Sequence, residues 1–300
     1  MLEGAPALVA AVDRRARVRL APAAEWSLAT LPDLDGAGMA RSAVFDAVRR
    51  TLAAHCELPP RAVTVDTRAF FGPEGKLGLG ASAAVAAALT TALAAAGGLR
   101  AGPNELCALA IAAHREAQGG SGSGADVAAA IHGGVVDFAA GRDPYPLSWP
   151  RDLHAEAVVT GGGADTRDLV GTVRRLRETE PARYERHMGR LGRLAEAGRD
   201  AFAAGDAAAF VTAADDYREA LAALGDAAGA AILLPAHARL AALAAEAGAV
   251  FKPSGAGGGD LGLVLADSPG KLERACAAIR SAGFAVPALR FGAAGAGPAD

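Results

Sequence analysis

Three glycine-rich turns, each next to an apolar helix or strand, constrain this sequence more than any other feature. They cover residues 78–82, 119–124 and 252–260 of the 300-residue chain. Glycine loses more conformational freedom on folding than any other residue, so four glycines within residues 255–259 are unfavourable for a mere connector. Close approach of the backbone to a ligand explains them, and a flexible linker is the alternative.

The first turn, residues 78–82 (GLGAS), opens a predicted helix of small residues that runs to about Ala96. A glycine turn leading into a helix presents unpaired N–H groups and the positive end of the helix dipole, which together favour an anion. Ser82 could offer its hydroxyl to a phosphate or to Mg²⁺. The turn is neither a Walker A loop nor the dinucleotide fingerprint, because the lysine of the one and the third glycine of the other are absent. An ordinary turn with Ser82 as the N-cap is the alternative.

The second turn leads to Asp126, which lies at the opening of a predicted helix over Ala125–Ile131. A carboxylate is favourable at a helix N-terminus for electrostatic reasons alone, which is one interpretation. The other is a general base beside a bound phosphate, which must stay ionised to accept a hydroxyl proton. His114 and His132 flank this segment, and we expect both to be helix-packing residues rather than ligands.

Composition narrows the class of protein. Hydrophobic residues make up 52% of the chain and charged residues 21%, which rules out a disordered chain. A net charge of -3 gives no indication of nucleic-acid or anionic-membrane binding. The three cysteines are scattered without a CxxC pair, and the N-terminus has no basic region before its apolar stretch. These features predict reduced thiols and a cytoplasmic protein with no membrane span.

The length of the chain predicts two domains, with a crossing at the proline-rich residues 142–150 that separates residues 1–148 from 149–300. Alternating short strands and helices predict α+β architecture in both. Strands are predicted at Ala7–Val12, Ala16–Leu20, Val63–Thr67, Ala155–Thr160, Ala249–Lys252, Leu261–Ala266 and 284–291, and helices at Ser42–Cys56, 83–96, Asn104–Gln118, Ala125–Ile131, from about Thr166, near 183–203, 206–223 and 234–247, and at Pro269–Ala282.

Taken together, the three turns resemble the motifs of the GHMP kinase superfamily, whose members phosphorylate small metabolites with ATP and Mg²⁺. Residues 78–84 (GLGASAA) are similar to its ATP phosphate loop, G-L-G-S-S-A-A, with Ala81 in place of the first serine. Residues 122–126 are similar to its catalytic aspartate loop, and residues 252–260 (KPSGAGGGD) to its C-terminal glycine motif. The resemblance implies an α+β, two-domain GHMP kinase fold. Its N-terminal ATP-binding domain would resemble domain 2 of ribosomal protein S5, and its C-terminal domain would be ferredoxin-like.

The same resemblance implies the site residues, with Asp126 as the catalytic group and Ser82 as a ligand of Mg²⁺. Glu116, near the end of the helix before the aspartate loop, is the candidate second metal ligand, with a solvated helix face as the alternative. The residues expected to bind ATP are Lys76, Gly78, Leu79, Gly80, Ala81, Ser82 and Ala83. Those expected to bind the acceptor are Ser123, Gly124, Lys252, Ser254, Gly255, Ala256 and Gly257. The candidates for binding an acceptor phosphate are Arg14, Arg115, Arg167 and Lys252.

Within the superfamily, the second and third turns are most similar to the phosphomevalonate kinases. The expected reaction is therefore ATP-dependent conversion of mevalonate 5-phosphate to mevalonate 5-diphosphate, by a monomer or homodimer with no nucleic-acid or membrane partner. The alternatives are mevalonate kinase, another small-metabolite kinase, a decarboxylase acting on mevalonate diphosphate, and a non-catalytic nucleotide- or metabolite-binding relative. The family's first strand and lysine-bearing loop have no counterpart before Leu2. We expect a start codon assigned too late, with a truncated relative as the alternative.

Overall fold

The computed structural model describes residues 4–32, 37–72, 75–120, 122–161, 166–255, 257–259 and 261–298. It divides the chain into two compact units. The first contains the chain up to Leu147 together with the segment from Arg290 onwards, and the second contains Ser148–Leu289. Both units combine helices with small sheets, which confirms the predicted α+β class. Within the described residues, no helix has both the length and the apolar character that crossing a membrane requires.

The elements of the first unit are, in chain order, β1 (Ala7–Ala10), β2 (Arg17–Pro22), β3 (Ser27–Leu31), α1 (Ala37–Ala53), β4 (Arg61–Asp66), a 3-10 turn (Arg68–Phe70), β5 (Phe71–Gly72), β6 (Gly75–Lys76), α2 (Ala81–Ala96), α3 (Pro103–Ala117), α4 (Ala125–His132), β7 (Val135–Phe138) and β8 (Tyr145–Leu147). One sheet has the order β1-β7-β8 and is antiparallel throughout. The other has the order β2-β4-β3, in which β3 runs parallel to β4. Strands β5 and β6 form a short hairpin before α2.

Helix α2 is built largely of alanine, and it contacts α1, α3 and α4. Alanine side chains are short, so these helices can approach α2 closely and pack densely against it. Leu89 of α2 joins Val63 of β4 in the main core, while Ala83 joins Val127 of α4 in a second cluster. Because neighbours on several sides fix α2, they also fix the direction of its N-terminus and the position of Ser82.

The end of the chain lies in the first unit, where Nε of Arg290 donates to the carboxylate of Asp13 over 3.1 Å. The observed second unit is therefore shorter than the expected domain 149–300. The strand predicted for residues 284–291 is wrong. Those residues, all of them described, are irregular apart from an isolated bridge at Phe291. They pass from the second unit to the first, so they do not form a continuous ladder with a single sheet.

The elements of the second unit are β9 (His154–Val159), α5 (Thr166–Thr179), α6 (Pro181–Ala204), α7 (Ala207–Ala228), α8 (Pro235–Glu246), β10 (Val250–Pro253), β11 (Leu261–Ala266) and α9 (Pro269–Ser281). The strands form an antiparallel sheet in the order β10-β11-β9. Helices α8 and α9 pack on this sheet through buried Leu240 and Ile279, which meet Phe251 and Val264. The third glycine turn connects β10 to β11, so the sheet holds both of its ends.

Candidate active site

The first glycine turn has the geometry of an anion site. Gly78 and Gly80 have φ values of 68° and 70°, a left-handed conformation that favours glycine. Gly80 is the N-cap of α2 and makes no side-chain capping bond, and the first intrahelical bond runs from the N–H of Ala84 to the Gly80 carbonyl over 3.1 Å. The N–H groups of residues 81–83 therefore precede the helical ladder. Ser82 is exposed in this first turn, where its hydroxyl can reach a ligand.

The second glycine turn is held in place by Arg115 of α3. Its guanidinium donates to the carbonyl of Gly122 over 3.0 Å and to the carbonyl of Ser123 over 2.7 Å. Gly124 has a φ of 84°, and a Cβ there would lie 2.8 Å from the side chain of Ile111. Glycine is thus required at this position for both conformation and space. Ser121 lies outside the described residues.

Asp126 follows this turn, in the first turn of α4. Its side chain is exposed, and Oδ1 accepts a 2.9 Å hydrogen bond from the N–H of Val127. That bond ties one carboxylate oxygen to the backbone at the start of α4. Within the described residues, the other carboxylate oxygen accepts no hydrogen bond, so the group can serve as an acceptor or a ligand.

The first two turns meet in the structure. A Cβ built on Gly80 would lie 3.8 Å from the Cβ of Asp126. Nε2 of His114 lies 3.1 Å from Oγ of Ser82 and 3.2 Å from Nε2 of Gln118. The starts of α2 and α4 therefore come together near the end of α3.

His114, which the sequence predicts to be a helix-packing residue, is buried on α3 and also contacts Ser82. It is only 3% exposed, and burial lowers its pKa, while the negative charge of Asp126 opposes that shift. One signal was present in the sequence. His114 lies four residues after Ala110 and seven after Cys107, which places a polar ring on the buried face of α3. A polar group on a buried face needs a partner, and here the partner is Ser82.

Glu116, the predicted second metal ligand, is bound to an arginine instead. Its Oε1 accepts a 2.8 Å hydrogen bond from Nε of Arg50 on α1. Two residues apart on a helix means roughly 200° of rotation, so Glu116 does not share the face on which His114 meets Ser82. Among the described residues, no group of three His, Cys, Asp or Glu side chains is arranged to hold a metal ion. The geometry thus favours the solvated-face alternative for Glu116.

The third glycine turn, in the second unit, is held by hydrogen bonds to Ile232 and Thr160. The N–H of Gly258 donates to the carbonyl of Ile232 over 2.8 Å, and the hydroxyl of Thr160 donates to the carbonyl of Gly259 over 2.7 Å. A Cβ on Gly257 would collide with that Ile232 carbonyl, so only glycine fits. Ser254 and the following glycine are exposed and form the open side of the turn. Two residues of this turn lie outside the described residues, the predicted acceptor residue Ala256 and Asp260 at the end of the turn.

Lys252 lies at the start of this turn in an unusual environment for a lysine. Its Nζ donates to the carbonyl of Pro253 over 2.9 Å and lies 5.3 Å from the centre of the Tyr217 ring. Burial lowers the pKa of Lys252 to about 8, because removal of water penalises the charged form. A bound anion would offset that penalty.

The other cations predicted for an acceptor phosphate have different surroundings. Arg14 pairs with Asp13 over 3.0 Å, and Arg115 is engaged with the second turn. The side chain of Arg167 lies outside the described residues. Lys76, which is predicted to bind ATP and not the acceptor, is exposed on β6, five residues before the start of α2.

Comparison with known proteins decides the family. A family model described as the GHMP kinases N terminal domain matches residues 36–134, which include the first and second turns. Phosphomevalonate kinase from Streptomyces sp. (strain CL190) is 31% identical over 267 residues, which cover 79% of this chain and 71% of the relative. The chain belongs to the GHMP kinase superfamily. It is accordingly a phosphotransferase of the kinase type, as the three turns predicted.

Solved structures share the fold of this GHMP kinase. The Lin0012 protein from Listeria innocua matches with a TM-score of 0.86 at 21% identity, covering 96% of this chain and 92% of that one. Streptococcus pneumoniae phosphomevalonate kinase in complex with phosphomevalonate and AMPPNP matches with a TM-score of 0.77 at 16% identity, covering 96% and 93%. At these identities the similarity concerns the fold, and it confirms the predicted GHMP kinase fold.

Proposed function

We propose that this GHMP kinase transfers the γ-phosphoryl group of ATP to mevalonate 5-phosphate, giving mevalonate 5-diphosphate and ADP. The observation that carries the proposal is the meeting of the α2 N-terminus with Asp126, next to Ser82. Phosphoryl transfer depends on alignment and charge neutralisation more than on covalent chemistry, and an anion site beside a carboxylate supplies both. The choice of acceptor is supported by the 31% identity to a phosphomevalonate kinase.

The first turn is our proposed site for the phosphates of ATP. The N–H groups that precede the helical ladder of α2 would donate to phosphate oxygens, and the helix dipole favours their negative charge. The positive φ values of the glycines keep the backbone open to a close ligand. The residues proposed to bind ATP are Lys76, Gly78, Leu79, Gly80, Ala81, Ser82 and Ala83.

The donor set in the first unit suits Mg²⁺. A hydroxyl from Ser82 and a carboxylate from Asp126 offer hard oxygen ligands, and Mg²⁺ fills its other positions with waters and phosphate oxygens. Such an ion would neutralise charge on the transferring phosphoryl group. Ser82 is thus a proposed ligand of Mg²⁺. Glu116 is not, because the carboxylate of Glu116 already pairs with Arg50.

Asp126 is the proposed catalytic residue. An acceptor phosphate is largely ionised near neutral pH, so a strong base is not needed to generate the nucleophile. The exposed carboxylate would instead orient the attacking oxygen and hold any remaining proton. Its bond to the N–H of Val127 keeps the side chain in one rotamer while this happens.

The acceptor is proposed to contact residues of the second and third turns. Arg115 donates to the carbonyls of Gly122 and Ser123, which holds the backbone just before Gly124 in place. The partly desolvated ammonium of Lys252 is a suitable partner for a phosphate. The residues proposed for the acceptor are Ser123, Gly124, Lys252, Ser254, Gly255, Ala256 and Gly257.

Substrate profiling tests this proposal. ADP release from MgATP is measured with mevalonate 5-phosphate and with mevalonate in parallel, and Asp126→Asn serves as the blank for contaminating kinases. We expect turnover with the phosphorylated acceptor that disappears in the blank. Turnover with mevalonate alone would identify a mevalonate kinase and overturn the acceptor assignment. ATP binding without turnover of either acceptor would favour a non-catalytic relative.

A further inference from the structure

The hydrogen bonds of His114 have a direction that follows from Gln118. The amide nitrogen of Gln118 can only donate, and it lies 3.2 Å from Nε2 of His114. A protonated Nε2 would set two donors against each other, so Nε2 presents its lone pair and Nδ1 carries the proton. The oxygen of the Gln118 amide faces the second turn, where a Cβ built on Gly122 would lie 2.9 Å from it, so the amide nitrogen is the atom next to His114.

Because Nε2 carries no proton, the Ser82 hydroxyl is the donor in their 3.1 Å contact, and it shares the single Nε2 lone pair with the amide of Gln118. Once its single proton points inward, the Ser82 oxygen has only lone pairs left for an outside partner. Lone pairs bind a cation, whereas a phosphate oxygen requires a proton from its partner. The orientation of one hydroxyl thus decides which of the two ligands this turn can bind through Ser82.

We propose that His114 is a positioning residue that sets the Ser82 hydroxyl as an oxygen ligand for a divalent cation and not as a donor to phosphate. The proposal rests on the nucleotide site of the proposed function. His114 acts through Ser82 and is nearly inaccessible to solvent, so it contacts neither nucleotide nor acceptor. Residues that orient a metal ligand in this way typically affect metal affinity about 10- to 100-fold.

A matched pair of substitutions tests the role in cation binding. His114→Met fills a similar volume with only a weakly accepting sulfur, whereas His114→Gln can bring a carbonyl oxygen close to the position of Nε2. Mn²⁺ binding to the ADP complex is measured by electron paramagnetic resonance, and ADP binding is measured separately without metal. We expect His114→Met to weaken Mn²⁺ binding at least about tenfold, and His114→Gln to retain it within about threefold. ADP affinity without metal should not change in either variant.

Two outcomes would overturn the proposal. One is unchanged Mn²⁺ affinity in His114→Met. The other is an equal loss of Mn²⁺ binding and of metal-free ADP binding in both variants, which is what a packing role predicts.

Ser82→Ala provides the second test, because adding His114→Met to it should cost no further Mn²⁺ affinity. Additive losses would contradict action through Ser82.

A measurement on the unsubstituted protein covers the case in which the variants fail to fold. Nitrogen-15 correlation spectra of histidine-labelled protein distinguish the two neutral tautomers, and we expect the Nδ1-protonated form for His114. The Nε2-protonated form would refute the proposal. None of these measurements requires an acceptor substrate. A failure to phosphorylate mevalonate 5-phosphate would therefore contradict the proposed acceptor, and it would not affect the role proposed for His114.

Discussion

The hydroxyl of Thr160, at the end of β9, donates a 2.7 Å hydrogen bond to the carbonyl of Gly259, 99 residues further along the chain. Thr160 is buried, so this bond is protected from competing water. It anchors one side of the third glycine turn to the sheet, and the carbonyl of Ile232 anchors the other through Gly258. These two hydrogen bonds fix the C-terminal part of the turn, whereas Ser254 at its start remains exposed.

Loss of the Thr160 hydroxyl should loosen the third turn. Thr160→Val preserves the shape but leaves the Gly259 carbonyl without this donor, so we expect the free energy of unfolding to fall by about 1–3 kcal/mol. The Michaelis constant for the acceptor should rise, because the turn samples other conformations. Thr160→Ser retains the hydroxyl and is the control. An acceptor Michaelis constant that is the same in Thr160→Val and the wild type would argue against a role for this bond in binding.

The two glycines Gly257 and Gly255 should respond differently to alanine. Both have a positive φ, of 84° and 72°. Among the described residues, a Cβ on Gly255 would meet no atom, whereas one on Gly257 would overlap the carbonyl and side chain of Ile232. Gly255→Ala should therefore cost about 1–2 kcal/mol of backbone strain. Gly257→Ala should cost about 1–3 kcal/mol more for the overlap. Urea unfolding monitored by tryptophan fluorescence measures both, and equal losses would contradict the described packing of the turn on Ile232.

Asp126→Asn should lower kcat roughly 100- to 10,000-fold, because the neutral amide cannot hold a proton or orient the attacking oxygen in the same way. Nucleotide affinity without metal should change little. Glu105→Gln is a matched control, since Glu105 is also an exposed acidic residue in the first turn of a helix. Steady-state kinetics and ADP titration compare the two variants. Wild-type turnover in Asp126→Asn would remove Asp126 from the mechanism.

Lys252 should make the stability of the protein depend on pH in a defined direction. Its pKa is lowered to about 8 in the folded state, so the unfolded chain binds more protons at this residue between pH 8 and the ordinary lysine pKa of about 10.4. The free energy of unfolding therefore rises with pH across that interval because of Lys252. Below pH 8 the buried charge lowers the free energy of unfolding by a constant amount.

Relative to the wild type, we expect Lys252→Met to be stabilised most at pH 7 and progressively less above pH 8. Denaturant unfolding at pH 7, 8, 9 and 10 measures the difference, and a gap that is independent of pH would contradict burial of the charge.

Helices were predicted well because their signals are local. Pro103 and the glycines after Gln118 bracket α3 in the sequence, and the observed helix, Pro103–Ala117, agrees within one residue at each end. The predicted start at Pro269 is also confirmed for α9. Periodicity and helix ends depend on residues a few positions apart, which a sequence displays directly.

Strands were predicted less well because pairing partners are remote. Strand β3, Ser27–Leu31, was not predicted, since its composition has no strong strand preference. It is a strand because it pairs in parallel with β4, where Leu28 lies opposite Val63. The converse error, the strand expected at 284–291, arose because β-like composition does not guarantee a partner.

The sequence alone determined the family, the three glycine turns and Asp126 as the candidate catalytic residue. It could do so because turn geometry and helix starts depend on neighbouring residues. Only the tertiary structure decided which partners the polar side chains on α3 contact. Ser82 and His114 are 32 residues apart, and Arg50 and Glu116 are 66 apart. Such contacts arise when helices pack against one another, and no local pattern in the sequence specifies which side chains that packing brings within hydrogen-bond distance.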